Sequence, residues 1–264
     1  MHAYGKGILG ICLLVLLAAP VLAQDKPAAQ EKESIWTAGF ELDANSKYIW
    51  RSLAWSEGAV MQPSAWVGVG GFTFSLWSNY VLNSGEANAG QFNEVDFRMS
   101  YDIEVGDFTI TPAFNAYTYP NQDPGFSPTT GELEIGIAYA LGDFGLETGH
   151  FFDVMDNKGG YVGDVALTYE SDVAEGLTLA GAVRFAFANA KFNEYYVPYD
   201  SGTFSAVVLE AGLTYTIGGF YVRPHIEYNN ILDKNLREAI RTTDWLSLQK
   251  PSLFNIGVAA GFEF

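Results

Sequence analysis

Charged side chains along this chain keep largely to one parity of its alternating segments, and only a few of them have neighbours that suggest catalysis. Beyond the first 23 residues the imidazoles are His150 and His225. His225 has Glu227 two positions on. In an extended chain that puts the pair on one face about 7 Å apart, too far for a direct hydrogen bond, so a partner for His225 has to come from another strand. His150 falls among apolar neighbours of the same parity, an interfacial or loop-side position rather than a catalytic one. A hydrolase would need a nucleophile held against a base, and no such spacing is present. The stretch DVMDNKGG, Asp153 to Gly160, collects oxygen ligands and glycines without the spacing of a calcium loop and reads as turn chemistry. No metal, cofactor or enzyme activity is expected. The remaining chemistry is electrostatic. The acids Glu41, Asp43, Glu94, Asp96, Glu134, Glu147, Asp164, Glu210 and Glu227 and the bases Lys47, Arg51, Arg98, Arg184 and Arg223 share the inward parity of their segments. They can pair into ladders that brace a wall. Carboxylates left over in a confined pore would attract cations and repel anions.

The elements that must position these charges are strands. From residue 35 onward the dominant period is two, in twelve segments near 35–51, 60–70, 72–82, 92–105, 107–119, 131–141, 143–154, 161–171, 176–189, 203–217, 219–230 and 252–264. Gly70-Gly71, Gly106-Asp107, Gly142-Asp143 and Gly218-Gly219 are two-residue turns of the hairpin type, and Ser171 to Glu175 is a fifth short connection. Longer loops near 52–59, 83–91, 120–130, 155–160, 190–202 and 231–251 alternate with them. In an antiparallel meander every second turn lies at the same end, so all tight turns share one end and all long loops the other. Outer-membrane barrels sort their loops this way, with short periplasmic turns and long extracellular loops. The predicted fold is an all-β, antiparallel, up-and-down transmembrane barrel of about twelve strands, with ten or fourteen as alternatives.

Parity supports this. Val95, Phe97, Met99, Tyr101, Ile103 and Val105 oppose Glu94, Asp96, Arg98, Asp102 and Glu104. Likewise Trp36, Phe40, Leu42, Tyr48 and Trp50 oppose Glu41, Asp43, Lys47 and Arg51. Charge on a lipid face costs about 2–4 kcal/mol at mid-membrane, which explains an apolar parity nearly free of it. Phe72, Phe108, Phe144 and Phe220 follow tight turns within two residues, and Tyr139, Tyr169 and Tyr215 precede them, as in an interfacial girdle. Pro112 and Pro224 fall inside strands that have no edge to excuse them, and a β-bulge is expected at each.

Composition fits an exported β protein. Lys6, the apolar run from Ile8 to Leu17 and Val21-Leu22-Ala23 read as a signal peptide over 1–23, followed by a polar leader over 24–34 and the barrel over 35–264. The single cysteine, Cys12, lies within that apolar run, so no disulfide framework is expected afterwards. Loss of the one charge on Lys6 takes the formal net charge from -17 to -18. Nucleic acid is excluded as a partner, because it is bound by Lys and Arg neutralising phosphates.

Two stretches carry resemblances. The closing alternation Phe254, Ile256, Val258, Ala260, Phe262, Phe264 resembles the terminal strand signal of bacterial outer-membrane barrels. That resemblance implies a Gram-negative host and assembly machinery that reads the strand, with Phe262 and Phe264 as the signal. "SKYIWRS", then Gln62-Pro63 and "GGFTFSLWSN", are similar to the first two hairpins of the TorF-type porin family, with Ser52 where that family has Gly. This match covers only residues 40–80 and implies a porin role without a substrate. The function expected is passive diffusion of small solutes through an acidic lumen, with Glu41, Asp43, Lys47, Arg51, Glu94, Asp96, Arg98, Glu134, Asp164, Arg184, Glu210, Arg223, His225 and Glu227 lining the pore. The alternatives are a closed-lumen structural or surface-interaction barrel and, behind it, a hydrolase. In the longest loop Asp233 is positioned to cap a short helix with Leu236, Ala239 and Ile240 on one face, which could narrow the mouth.

Overall fold

Five two-residue turns set the architecture. Gly70 and Gly71 have φ of 54° and 87°, and Gly106, Gly142, Gly176 and Gly218 also lie at positive φ. This backbone matches the right-handed twist of hairpin strands and favours glycine. The fifth turn is Glu175–Gly176, because the preceding strand runs on through Ala174, beyond the expected Ser171. The computed structural model describes residues 36–121 and 127–264. The signal peptide and leader expected over 1–34 lie outside the described residues.

The strands are β1 (Trp36–Asn45), β2 (Tyr48–Trp50), β3 (Leu53–Ser56), β4 (Val60–Val69), β5 (Phe72–Val81), β6 (Phe92–Tyr101), β7 (Ile103–Val105), β8 (Phe108–Thr118), β9 (Thr129–Leu141), β10 (Phe144–Asp153), β11 (Tyr161–Ala174), β12 (Leu177–Ala188), β13 (Thr203–Ile217), β14 (Phe220–Ile231) and β15 (Ser252–Glu263). Helices α1 (Ala190–Tyr196) and α2 (Lys234–Arg241) sit in the long loops. β6 and β7 form one stave interrupted at Asp102. β1 pairs with both β4 and β15, so an antiparallel barrel of twelve staves closes on itself. β2 and β3 form a separate two-stranded hairpin.

The prolines are accommodated without the expected bulges. Pairing of β4 with β5 lapses at Gln62–Pro63, that of β6 with β8 at Thr111–Pro112, and that of β13 with β14 at Arg223–Pro224. In each case the same register resumes beyond the gap. Proline has no N–H to donate, so the ladder skips on that side. On the other side Pro63, Pro112 and Pro224 remain in unbroken register with Leu42, Ile135 and Val258.

The outer surface is apolar. Phe40, Met99, Leu133, Leu146, Phe185, Ile256 and Val258 are all exposed. The inner side carries the charges, and this is the distribution a lipid-facing wall requires. Cross-strand aromatic pairs mark the tight-turn end. Phe72–Tyr101, Phe108–Tyr139 and Phe144–Tyr169 have ring centroids 4.5, 4.6 and 5.1 Å apart. Phe262 stacks on Phe40 across the closing seam, with Phe264 beside it at 4.8 Å.

The first segment departs from expectation. Its wall strand ends at Asn45, and Tyr48 and Trp50, which alternation placed toward lipid, are each only 1% exposed. They belong to the β2–β3 hairpin, which packs inside the long-loop end. Its two-residue turn is Arg51–Ser52, with φ of 49° and 63°. Residues 52–59 are therefore largely the return strand of a plug rather than an open loop.

Candidate lumen site

The chain leaves the wall through a side-chain clasp. Asn255 on the last strand accepts from Ser46 Oγ (2.8 Å) and from the Lys47 backbone N–H (3.1 Å), which turns the segment after β1 inward. The same Asn255 starts a head-to-tail run of amides across five staves. Asn255 donates to Asn45 (2.7 Å), Asn45 to Gln62 (3.1 Å), Gln62 to Asn79 (3.0 Å) and Asn79 to Asn93 (2.7 Å). Asn255, Asn45, Gln62 and Asn79 each donate to one neighbour and accept from another, and Asn93 ends the run as an acceptor, which satisfies the polar belt.

Above this belt the hairpin spans the bore. Arg51 at its tip makes a bidentate pair with Glu132 on β9, at 2.7 and 2.5 Å. β9 lies across the barrel from β1. Tyr117 also donates to Glu132, at 2.8 Å. The guanidinium lies 4.5 Å from the Trp50 ring centroid, 5.1 Å from Phe151 and 5.2 Å from Phe192. Both charged side chains are nearly inaccessible. Tyr48 donates to Glu94 at 2.7 Å, and Ser52 to Asn229 at 2.8 Å. The hairpin is thus fixed to three separate parts of the wall.

The two loop helices complete the seal. Asn189 caps α1 by accepting from the Phe192 N–H, and Asp233 caps α2 by accepting from the Leu236 N–H at 2.8 Å. Leu236, Ala239 and Ile240 of α2 share the buried face expected for them. Helix α1, read from sequence as loop, contributes Phe192 and Tyr196. These side chains join Tyr48, Trp50, Trp77 and Leu246 in one apolar cluster at the long-loop end. Trp50 and Tyr196 meet edge-to-face at 5.0 Å.

Below the plug the lumen is polar. Arg98 pairs with Glu134 through two bonds of 3.0 Å. Arg223 reaches Glu41 at 2.8 Å, and Tyr221 donates to the same carboxylate at 2.7 Å. The partner of His225 does come from another strand: Nε2 lies 2.9 Å from Asp43. Arg184 binds Asp164 at 2.5 Å and stands 3.7 Å from Glu147 and 3.9 Å from Glu210. Glu210 and Glu227 face each other in register across β13 and β14. His150 is elsewhere, bonded to Tyr161 at 2.8 Å and close to Phe187. A cavity of about 110 Å3 lies under the hairpin, with Glu41, Asp43, Lys47, Arg223, His225 and Glu227 among its lining.

The structure therefore places the residues expected along the pore in three settings. Glu41, Asp43, Lys47, Glu210, Arg223, His225 and Glu227 meet at the cavity. Arg98, Glu134, Asp164 and Arg184 brace the wall, and Glu94 and Asp96 are buried near the plug, Glu94 under Tyr48. Arg51 is corrected from a wall residue to the hairpin tip. Sequence reasoning left out its partner Glu132, although the inward parity of Glu132 was the available signal.

No family model matches the chain, and no match was found among curated proteins. Among solved structures it is similar to the NanC porin, with 14% identity over 84% of this chain and 98% of that one and a TM-score of 0.52. It is similar also to the KdgM porin (11% identity, 86% and 99% covered, TM-score 0.49) and to the COG4313 outer membrane channel from Pseudomonas putida F1 (8%, 91% and 100%, 0.47). At 14% identity the likeness to the NanC porin is one of fold, a β-barrel over most of both chains.

Proposed function

We propose that the protein is an outer-membrane, porin-like channel for small solutes, with the β2–β3 hairpin as the constriction at its long-loop mouth. The observation that carries this reading is the pairing of an exposed apolar exterior with a charged lumen that retains a cavity. The porin-like fold supports it. The outer membrane is the compartment such a barrel suits, reached by way of the expected signal peptide. The barrel-assembly machinery is the proposed partner that reads the strand ending at Phe262 and Phe264, and the first two hairpins keep their resemblance to the TorF-type family.

Selectivity follows from charge. Arg184 stands against Asp164, Glu147 and Glu210 together, so fixed negative charge exceeds positive along that wall. Such a bore favours cationic or neutral solutes over anions. A second reading, a closed-lumen barrel with a structural or surface-interaction role, is favoured by the apolar cluster that fills the long-loop end. Planar-bilayer recording separates the two. A cation-preferring conductance that rises when residues 48–56 are replaced by a short Gly-Ser link is expected. Anion preference would refute the selectivity. Silence in both the intact and the shortened chain would leave the closed barrel.

A further inference from the structure

Basic residues are distributed unevenly between the two ends of the barrel. The tight turns, Gly70-Gly71, Gly106-Asp107, Gly142-Asp143, Glu175-Gly176 and Gly218-Gly219, contain none. Among the long loops, only residues 231–251 have more bases than acids, with Lys234, Arg237, Arg241 and Lys250 against Asp233, Glu238 and Asp244, in a chain of formal net charge -17. Arg241 and Glu238 are matched with each other at 3.2 Å. Asp233 is turned to the helix cap, where it accepts from the Leu236 N–H. Lys234, Arg237 and Lys250 make no ion pair among the described residues.

These three cations gather at the top of β14. Arg237 donates through Nη1 to the Asn230 side chain at 3.0 Å and to the Ile231 carbonyl at 2.7 Å, both neutral acceptors. The Ile231 N–H donates to the Pro251 carbonyl at 2.8 Å, which brings Lys250 alongside. Lys234 stands three residues before Arg237 on α2, so the two share a side of the helix. Directly below, the outward residues of β14 and β15 lie in register. Asn230 is opposite Ser252, Tyr228 opposite Phe254, and Ile226 opposite Ile256. Ser252 donates to Asn230 at 2.7 Å. Tyr228, Phe254, Ile226 and Ile256 are all exposed. Down from the rim, the outer wall passes from positive charge, through an amide and a hydroxyl, to aromatic rings and then to aliphatic side chains.

That gradient is complementary to an amphiphile with an anionic head. A guanidinium held by neutral acceptors keeps its charge, and its Nη2 and Nε donors point to an external anion; arginine suits the oxygens of phosphate. A free anion would use the charge and leave the apolar rows below it idle. A lipid without net charge would use the rows and leave the charge unmatched. We propose that the outer wall at β14–β15 is a docking site for an acidic, phosphate-bearing lipid of the leaflet at the long-loop end. Its phosphate lies against Arg237, Lys234 and Lys250, and its acyl chains run along Tyr228, Phe254, Ile226 and Ile256. Basic residues at a membrane surface attract acidic lipids in this way. The site is outside the barrel, so the inference goes beyond the channel reading and holds whether or not the lumen conducts.

The test is native mass spectrometry of the full chain in a non-ionic detergent, titrated with phosphatidylglycerol or with phosphatidylcholine of equal chain length. Phosphatidylglycerol should bind about fivefold or more tightly than phosphatidylcholine. Arg237→Gln and Lys250→Gln should each weaken phosphatidylglycerol about fivefold, the factor of one basic residue at an anionic surface, and leave phosphatidylcholine unchanged. Lys158→Gln, which removes an exposed lysine from another long loop, should change neither. If Arg237→Gln does not fold, Lys250→Gln decides alone. Equal binding of the two lipids by the intact chain, or undiminished phosphatidylglycerol binding in the variants that fold, overturns the proposal. So does an equal loss in Lys158→Gln, which would make the attraction a general one of the rim. Displacement of phosphatidylglycerol by millimolar inorganic phosphate would mark a free-anion site and overturn the lipid assignment. Planar-bilayer conductance of the same preparation is scored separately. A silent barrel that prefers phosphatidylglycerol supports the docking site and removes the channel.

Discussion

Arg51 holds a buried charge at the tip of the plug. Its charge is out of water, paired with Glu132 and flanked by three aromatic faces. Removing one member of such a pair strands the other and costs about 3–5 kcal/mol. Arg51→Met and Glu132→Gln should each lower the urea midpoint for unfolding in micelles. The double variant should recover part of the loss, because no orphaned charge remains. Additive losses in the double variant would show that the pair is not coupled. Parity in the sequence marked Arg51 as inward but could not show that it reaches across the bore. The clue was its neighbour. Ser52, at the position where the resembling family has Gly, has a φ of 63°, a value that favours glycine. Its hydroxyl bond to Asn229 offsets the strain.

At the scale of elements, the wall strands were legible because period-two alternation and glycine turns act locally. The hairpin was not legible. Tyr48, Ile49 and Trp50 continue an apolar run, and apolar side chains suit a protein core as well as lipid. Only contacts distant in sequence, to Glu94, Asn229 and Asn255, determine which environment they enter. Helix α2 was visible through its cap and its apolar face, whereas seven-residue α1 was too short to register a period. The cap also responds to pH. The Leu236 N–H, donating to the Asp233 carboxylate, holds its pKa below the usual value. A carboxyl depressed in the folded state contributes stability above its unfolded pKa, and that contribution is lost as pH falls through the folded value. Hydrogen exchange over residues 234–241 should therefore accelerate as pH drops below about 3.9, after correction for intrinsic rates. Asp233→Ala should show the faster exchange already at neutral pH, by the equivalent of about 1 kcal/mol. An unchanged profile in the variant would assign the acid response to another group.

For the whole molecule, the decisive property is that the barrel turns its apolar side outward. Val258 is exposed on the outer face, and Ala259 beside it is fully buried within. Val258→Arg should cost about 2–4 kcal/mol in bilayers and far less in detergent, where the chain can snorkel. Equal costs in both media would contradict a lipid-facing wall. Phe264→Ala should lower the amount of folded barrel recovered from outer membranes while leaving refolding in vitro nearly intact, since Phe264 is 75% exposed and its edge-on neighbour Phe262 remains. The clasp at Asn255 has a consequence for how the molecule is made. Ser46 and Lys47 lie 209 and 208 residues from it in sequence, and contacts of such separation form late because loop closure must be paid first. The aromatic hairpin is among the earliest parts of the barrel to be synthesised, yet it cannot be anchored through Asn255 until the final strand arrives. Throughout assembly its tyrosine and tryptophans need shelter from one another and from neighbouring chains. The step that joins the two ends of the sheet is also the step that locks the stopper.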